Sequence, residues 1–216
     1  MVLKLYGWRP SPYVQMVMVV LYEKRIPFEF INVELSKLEN RRPEYAAVHP
    51  FTQVPAIDDD GFILYESRAI CRYLEEKYSN EGTRLIPADL HKRALVEQAF
   101  WTEAYHFSMH AKPILFEYVV RSMMNGLEID QRRVVKETKA LLATVDFYEQ
   151  LLSKQRYIAG DEFSLADIYH LPATTDLSER AKINIIEGRP NVERWIRDVM
   201  DRESWRKVKE QRVSKL

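Results

Sequence analysis

The chain has 216 residues, 46% hydrophobic and 12% aromatic, which excludes disorder and allows one large or two small packed domains. Lys plus Arg and Asp plus Glu each number 32, so the formal charge is zero and no overall field draws the chain to nucleic acid. The single cysteine, Cys71, excludes an intrachain disulfide and a cysteine zinc cluster, and no apolar run or leader is suited to a membrane, so a soluble, cytoplasmic protein is expected.

From the start of the chain, VLKLY (2–6) alternates, with Leu3 and Leu5 on one face, and predicts a strand. After the loop GWRP, the residues Val14, Val17, Met18 and Leu21 recur at helical spacing, and FEFINV (28–33) returns to alternation. VPAI (54–57), the turn-rich DDDG (58–61) and FILY (62–65) predict a hairpin. A helix follows from Ser67, burying Ile70, Tyr73 and Leu74. This βαβ then ββα order implies a small four-stranded mixed sheet covered by helices. Beyond the polar stretch 78–90, with Gly82 and Pro87, the pattern is helical over 91–121, 130–153, 164–178 and 191–210. The expected division is therefore an α/β domain over 1–80, a linker over 81–90 and an all-α domain over 91–216.

Ser11 lies between two prolines at the start of the first helix. Serine at the cap with Pro12 at the first helical position is a favourable helix start, because the hydroxyl accepts from an orphan amide and proline wastes no N–H. A serine nucleophile would need a histidine and a carboxylate, and no G-x-S-x-G elbow surrounds this one. The alternative is a hydroxyl that donates to a substrate.

Three other stretches bear on that alternative. Gln53-Val54-Pro55 precedes a predicted strand; were Val54-Pro55 cis, the Val54 backbone would face outward for a peptide laid alongside, and the sequence leaves the isomer open. Glu66 and Ser67 stand where the hairpin gives way to a helix, Ser67 as its expected cap, and a helix N-terminus also binds carboxylates. Asn40, Arg41 and Arg42 offer groups for a second carboxylate. A small peptide with a zwitterionic end, a main-chain amide and a distant carboxylate satisfies all of these, and glutathione is such a molecule. Its thiol would point at Ser11, where a hydroxyl donor and the helix dipole favour thiolate over thiol.

The stretches RPSPYVQMVMVVLYEK, VHPFTQVPAIDDDGFILYESRAICRYLEEKY and YIAGDEFSLADIYHLP, with RPNVERW and ESWRKV, resemble the cytosolic glutathione transferases almost end to end, most closely the phi class. The resemblance implies a thioredoxin-like N-terminal domain followed by an all-helical one, and conjugation of glutathione, as co-substrate and without a metal, to small hydrophobic electrophiles. It implies that Ser11 is the catalytic serine, that Gln53, Val54 and Pro55 hold the glutathione backbone, and that Glu66 and Ser67 hold its γ-glutamyl end. The family's basic pair falls on Asn40 and Arg41, and Gln15 and Met16 stand where an arginine is usual. Phe51 matches the aromatic that enters the partner subunit in several classes, implying a homodimer. Two other functions share the scaffold: a non-catalytic carrier of glutathione or apolar ligands, and a glutathione-dependent peroxidase.

In the second domain, Ser164 to Asp167 forms Ser-x-x-Asp, a helix-capping arrangement to which no chemistry is assigned. Tyr105, His106, Met109 and His110 share a helical stripe that the family uses to line its second substrate pocket, and Pro113 is expected to kink that helix. His106 and His110 lack an evident third metal ligand. Tyr6 rivals Ser11 as a thiol activator in other classes, yet Gly7 and the spacing to the helix favour Ser11. Cys71, inside a helix, reads as a buried structural thiol.

Overall fold

The computed structural model describes residues 2–121 and 127–213. They form two compact units, one ending at Leu85 but joined by the residues from Asp201 on, the other spanning Ile86–Met200.

The first unit is built on a four-stranded sheet in the order β2-β1-β3-β4, formed by β1 (Leu3–Gly7), β2 (Phe28–Asn32), β3 (Ala56–Asp59) and β4 (Phe62–Tyr65). β1 runs parallel to β2, with Leu5 beside Phe30, and antiparallel to β3, with Leu5 beside Ile57. The crossover that a parallel pair requires is supplied by α1 (Pro12–Glu23), whose Val14 to Leu21 run is wholly buried. The β3–β4 hairpin turns at Asp60 and Gly61, both at positive φ, the conformation of a two-residue turn whose twist matches its strands. A short α2 (Pro43–Ala46) follows β2, and Cys71 sits buried in α3 (Ser67–Lys77), where burial pushes its thiol up to about 12 and keeps it protonated and inert.

The segment after α3 is no free linker up to Leu85. Lys24, wholly buried, pairs with Glu75 at 2.8 Å and donates to the Thr83 carbonyl, while Glu75 accepts from the Leu85 amide. Gly82 passes so close to the end of α1 that an added Cβ would lie 2.1 Å from the Glu23 carbonyl. Only glycine fits there.

The second unit contains α4 (Leu90–Thr102), α5 (Ser108–Leu115), α6 (Gln131–Leu152), α7 (Leu165–Glu179) and α8 (Pro190–Met200). The helix expected over 91–121 is interrupted by π turns at Glu103–Phe107 and Phe116–Val120, flanking the α5 segment that holds Pro113. α7 is buried along Leu165–Leu177 and forms the axis of this unit. Around it, His170 donates from Nδ1 to the Ala166 carbonyl at 2.7 Å, which leaves Nε2 to accept from the Tyr148 hydroxyl at 3.1 Å.

The single helix expected over 191–210 is two helices. α9 (Glu203–Val213) packs with α1, so residues from Asp201 on belong with the α/β unit, whereas the sequence reading carried the helical domain on to 216. The break has a tertiary cause: Arg202 donates through Nε and Nη2 to the two oxygens of Glu23 at 2.7 Å, and Ser204 donates to the same carboxylate at 2.6 Å. Among the described residues no helix is long and apolar enough to cross a membrane.

Candidate functional site

The candidate glutathione residues all lie in the α/β unit, on the loops and helix starts around β1 and β3. Gly7 closes the β1–α1 turn so tightly that a Cβ would come within 2.8 Å of the Val14 methyls. The chain then turns through Trp8 to Pro10, where the Ser11 amide donates to the Trp8 carbonyl at 2.8 Å. Ser11 occupies the cap of α1 with extended backbone (φ −68°, ψ 124°), and Pro12 is the first helical residue. The expected cap bond is absent: the Ser11 side chain makes no capping hydrogen bond, although the residue is only 6% exposed. A small hydroxyl thus stands at the positive end of a helix dipole, beside the outward amides of the first turn. Tyr6 is half-buried and packs against Tyr45 with ring centroids 6.4 Å apart. Gln15 is fully buried and donates to the Arg9 carbonyl at 3.0 Å, while Met16 lies in the core.

Val54-Pro55 is cis. Val54 lies just ahead of β3, outside the strand ladder that begins at Ala56. The segment before it is held from two sides by residues that sequence reasoning had not paired. Asn40, on a 3-10 turn at Glu39–Arg41, donates from Nδ2 to the Thr52 carbonyl at 2.6 Å, and the Tyr45 hydroxyl donates to the Gln53 carbonyl at 2.6 Å. Asn40 therefore shapes the Val54 loop, while Arg41 is exposed. Thr52 has φ +52°, an outlier for a β-branched residue that these two anchors sustain. Burial, with a smaller push from Tyr6, raises the Tyr45 phenol well above its ordinary range, so it is held as a donor.

Ser67 is the first residue of α3 and Glu66 its cap, a shift of one from the sequence reading. Glu66 sits at φ +69°, exposed, and Ser67 is buried at the mouth of the helix. His49, 2% exposed, lies against Tyr65 with centroids 4.7 Å apart; burial lowers its pKa, against the pull of the Glu66 carboxylate. Phe51 projects with 66% of its surface exposed.

In the helical unit, Tyr105, His106 and Met109 are exposed and His110 half-buried. Tyr105 stacks on Trp101 at 5.5 Å, a partner the stripe analysis had not named, and His110 is held at 2.7 Å by Glu137 through Nδ1. The His106 carbonyl accepts from Thr144. Phe107 turns inward and is fully buried against His170. At α7, Asp167 accepts from the Ile158 and Ser164 amides, the Ser164 hydroxyl and the Trp195 indole, all within 3.1 Å. Complete burial nevertheless raises its pKa.

Against families of known proteins, residues 5–82 match the glutathione S-transferase N-terminal domain and residues 111–203 the glutathione S-transferase C-terminal domain. Glutathione S-transferase F12 of Arabidopsis thaliana is 38% identical over 96% of this chain and 97% of its own, and glutathione S-transferase hmp2 of Hypomyces subiculosus is 40% identical over 96% and 98%. Among solved structures, glutathione transferase F2 from Populus trichocarpa superposes with a TM-score of 0.93 at 39% identity, covering 98% of this chain and 99% of that one. Maize glutathione S-transferase I, solved with an atrazine glutathione conjugate, gives 0.90 at 30% identity with both chains fully covered.

Proposed function

Because the chain belongs to the glutathione S-transferase family, in its phi class, we propose that Ser11 stabilises the thiolate of bound glutathione and that the thiolate then attacks small hydrophobic electrophiles. One observation carries this reading: Ser11 occupies a cap position without making the cap bond, so its hydroxyl is available to donate to sulfur. The donor and the α1 dipole favour the charged form of the thiol, and the acceptor sulfur needs no general base once ionised. Val54 offers its backbone N–H and C=O to the cysteinyl residue of the tripeptide, as an added strand would. The γ-glutamyl carboxylate meets Ser67 and the first-turn amides of α3, its ammonium meets the exposed Glu66 carboxylate, and Arg41 is the cation for the glycyl carboxylate. Gln53 flanks Val54 with its side chain exposed, and Pro55 fixes the turn into β3.

For the electrophile, the exposed Tyr105 and Met109 supply apolar surface, and His106 and His110 supply polar ring nitrogens. Phe51, large, aromatic and two-thirds exposed, is the proposed contact of a homodimer. The one reduced cysteine suits a cytoplasmic setting.

Titration of the protein–glutathione complex by thiolate ultraviolet absorbance tests the reading. Wild type should ionise the bound thiol well below its pKa in free solution, and Ser11→Ala should move it back up. If the bound thiol in wild type ionises no more readily than in water, Ser11 is not its activator.

A further inference from the structure

We infer that Arg9 and Gln211 form a brace that sets the position of Ser11, which makes Gln211, on the last helix, a positioning residue for thiol activation. The inference rests on the proposed role of Ser11. The Trp8–Ser11 loop has no ladder or helix to fix its shape, yet its middle residue is gripped three ways. The Arg9 carbonyl accepts from Gln15, whose side chain is wholly buried. The Arg9 guanidinium lies 4.1 Å over the Phe30 ring and donates through Nη1 to Oε1 of Gln211. Gln211 is itself oriented, because its Nε2 donates to the Tyr22 hydroxyl at 2.6 Å. Arg9, Tyr22, Phe30 and Gln211 line a cleft of about 480 Å³ beside β2.

An aliphatic side chain would fill such a cleft without directed bonds. A guanidinium held by a ring, an amide oxygen and its own anchored carbonyl fixes an orientation, which packing alone does not do. Ser11 is two residues away, and its amide is tied to Trp8 on the other side of Arg9. The start of α9 is separately clasped by Glu23, so Gln211 is presented at a defined point. Displacing a donor by a fraction of an ångström weakens its bond to sulfur without removing the surfaces that bind the tripeptide.

The test compares Gln211→Ala, Gln211→Glu, Arg9→Lys and Ser11→Ala for bound-thiol titration, kcat and KM with an aryl halide, and thermal melting. Gln211→Ala should raise the pKa of the bound thiol and lower kcat about tenfold, with the glutathione KM within about twofold of wild type. Gln211→Glu, which keeps an oxygen facing Arg9, should restore both. Arg9→Lys, which loses the planar fork, should resemble Gln211→Ala and serves if the latter does not fold. A Gln211→Ala protein that melts lower but titrates its thiol like wild type overturns the brace, as does a failure of Gln211→Glu to restore. If Ser11→Ala itself leaves the titration unchanged, the Ser11 reading fails first, and the brace with it.

Discussion

Among the described helices, α1 and α7 have serine at the cap position, Ser11 and Ser164, and the two serines have opposite occupations. Ser164 is buried and spends its amide and hydroxyl on Asp167, which also gathers the Ile158 amide and the Trp195 indole. Ser11 stands at an equivalent cap and makes no such bond. The difference lies in the third helical position: α7 has a carboxylate there that turns back onto the cap, whereas α1 has Val14, which packs under Gly7. A fully satisfied cap is a structural part; a cap hydroxyl left over is a donor for something else. The two carboxylates nearest these helices differ in the same sense. For Glu23, burial opposes charge but the hydrogen bonds from Arg202 and Ser204 outweigh it and hold the pKa down, while for Asp167 burial wins and the pKa is raised.

Asp167→Ala probes the satisfied end and should have the largest effect, about 4 kcal/mol off the stability, because it strands the Ile158 amide and the Trp195 indole in the core. Denaturant melts read this directly, and the bound-thiol titration should not move. Ser11→Ala is the mirror experiment: kcat should fall about a hundredfold, near 3 kcal/mol in the transition state, with melting unchanged because no cap bond is lost. A large drop in its melting temperature would mean that Ser11 caps α1 after all, and the contrast would dissolve.

Acid should distinguish the two carboxylates next. Glu23 has a folded pKa below its unfolded value, so its contribution is present at neutral pH and is lost as pH falls through that depressed value. Asp167 has the opposite sign: its charge costs stability above the unfolded value, and acidification relieves that cost. Hydrogen exchange should therefore show α9 loosening on acidification before α7, and Glu23→Gln should abolish that pH dependence. The smallest effect is expected for Ser67→Ala, about a tenfold rise in glutathione KM with kcat nearly constant, the loss of one hydrogen bond to a charged group.

Much of this was legible from residue order alone. The alternation of Leu3 and Leu5, the helical spacing of Val14 to Leu21 and the DDDG turn each act within a few residues, so the mixed sheet and α1 followed from local pattern. Ser11, Val54, Glu66 and Ser67 were singled out as candidates because helix starts and a pre-proline residue have recognisable local chemistry. The contact of Asn40 with Thr52 was not legible, because nothing local says that its amide reaches twelve residues on. Tyr45 was missed for the same reason: its hydroxyl meets Gln53 only after the chain has folded back.

The sequence by itself determined the order of strands and helices in the α/β domain, the position of the cap serine and the absence of an intrachain disulfide, because each depends on covalent neighbours or on composition. Tertiary structure alone decided the cis state of Val54-Pro55, the break before α9 and the attachment of that helix to α1. The periodicity of 191–210 runs through the break without a proline or glycine to mark it. What ends the helix is Glu23, a carboxylate 179 positions earlier that reaches Arg202 only in the folded chain.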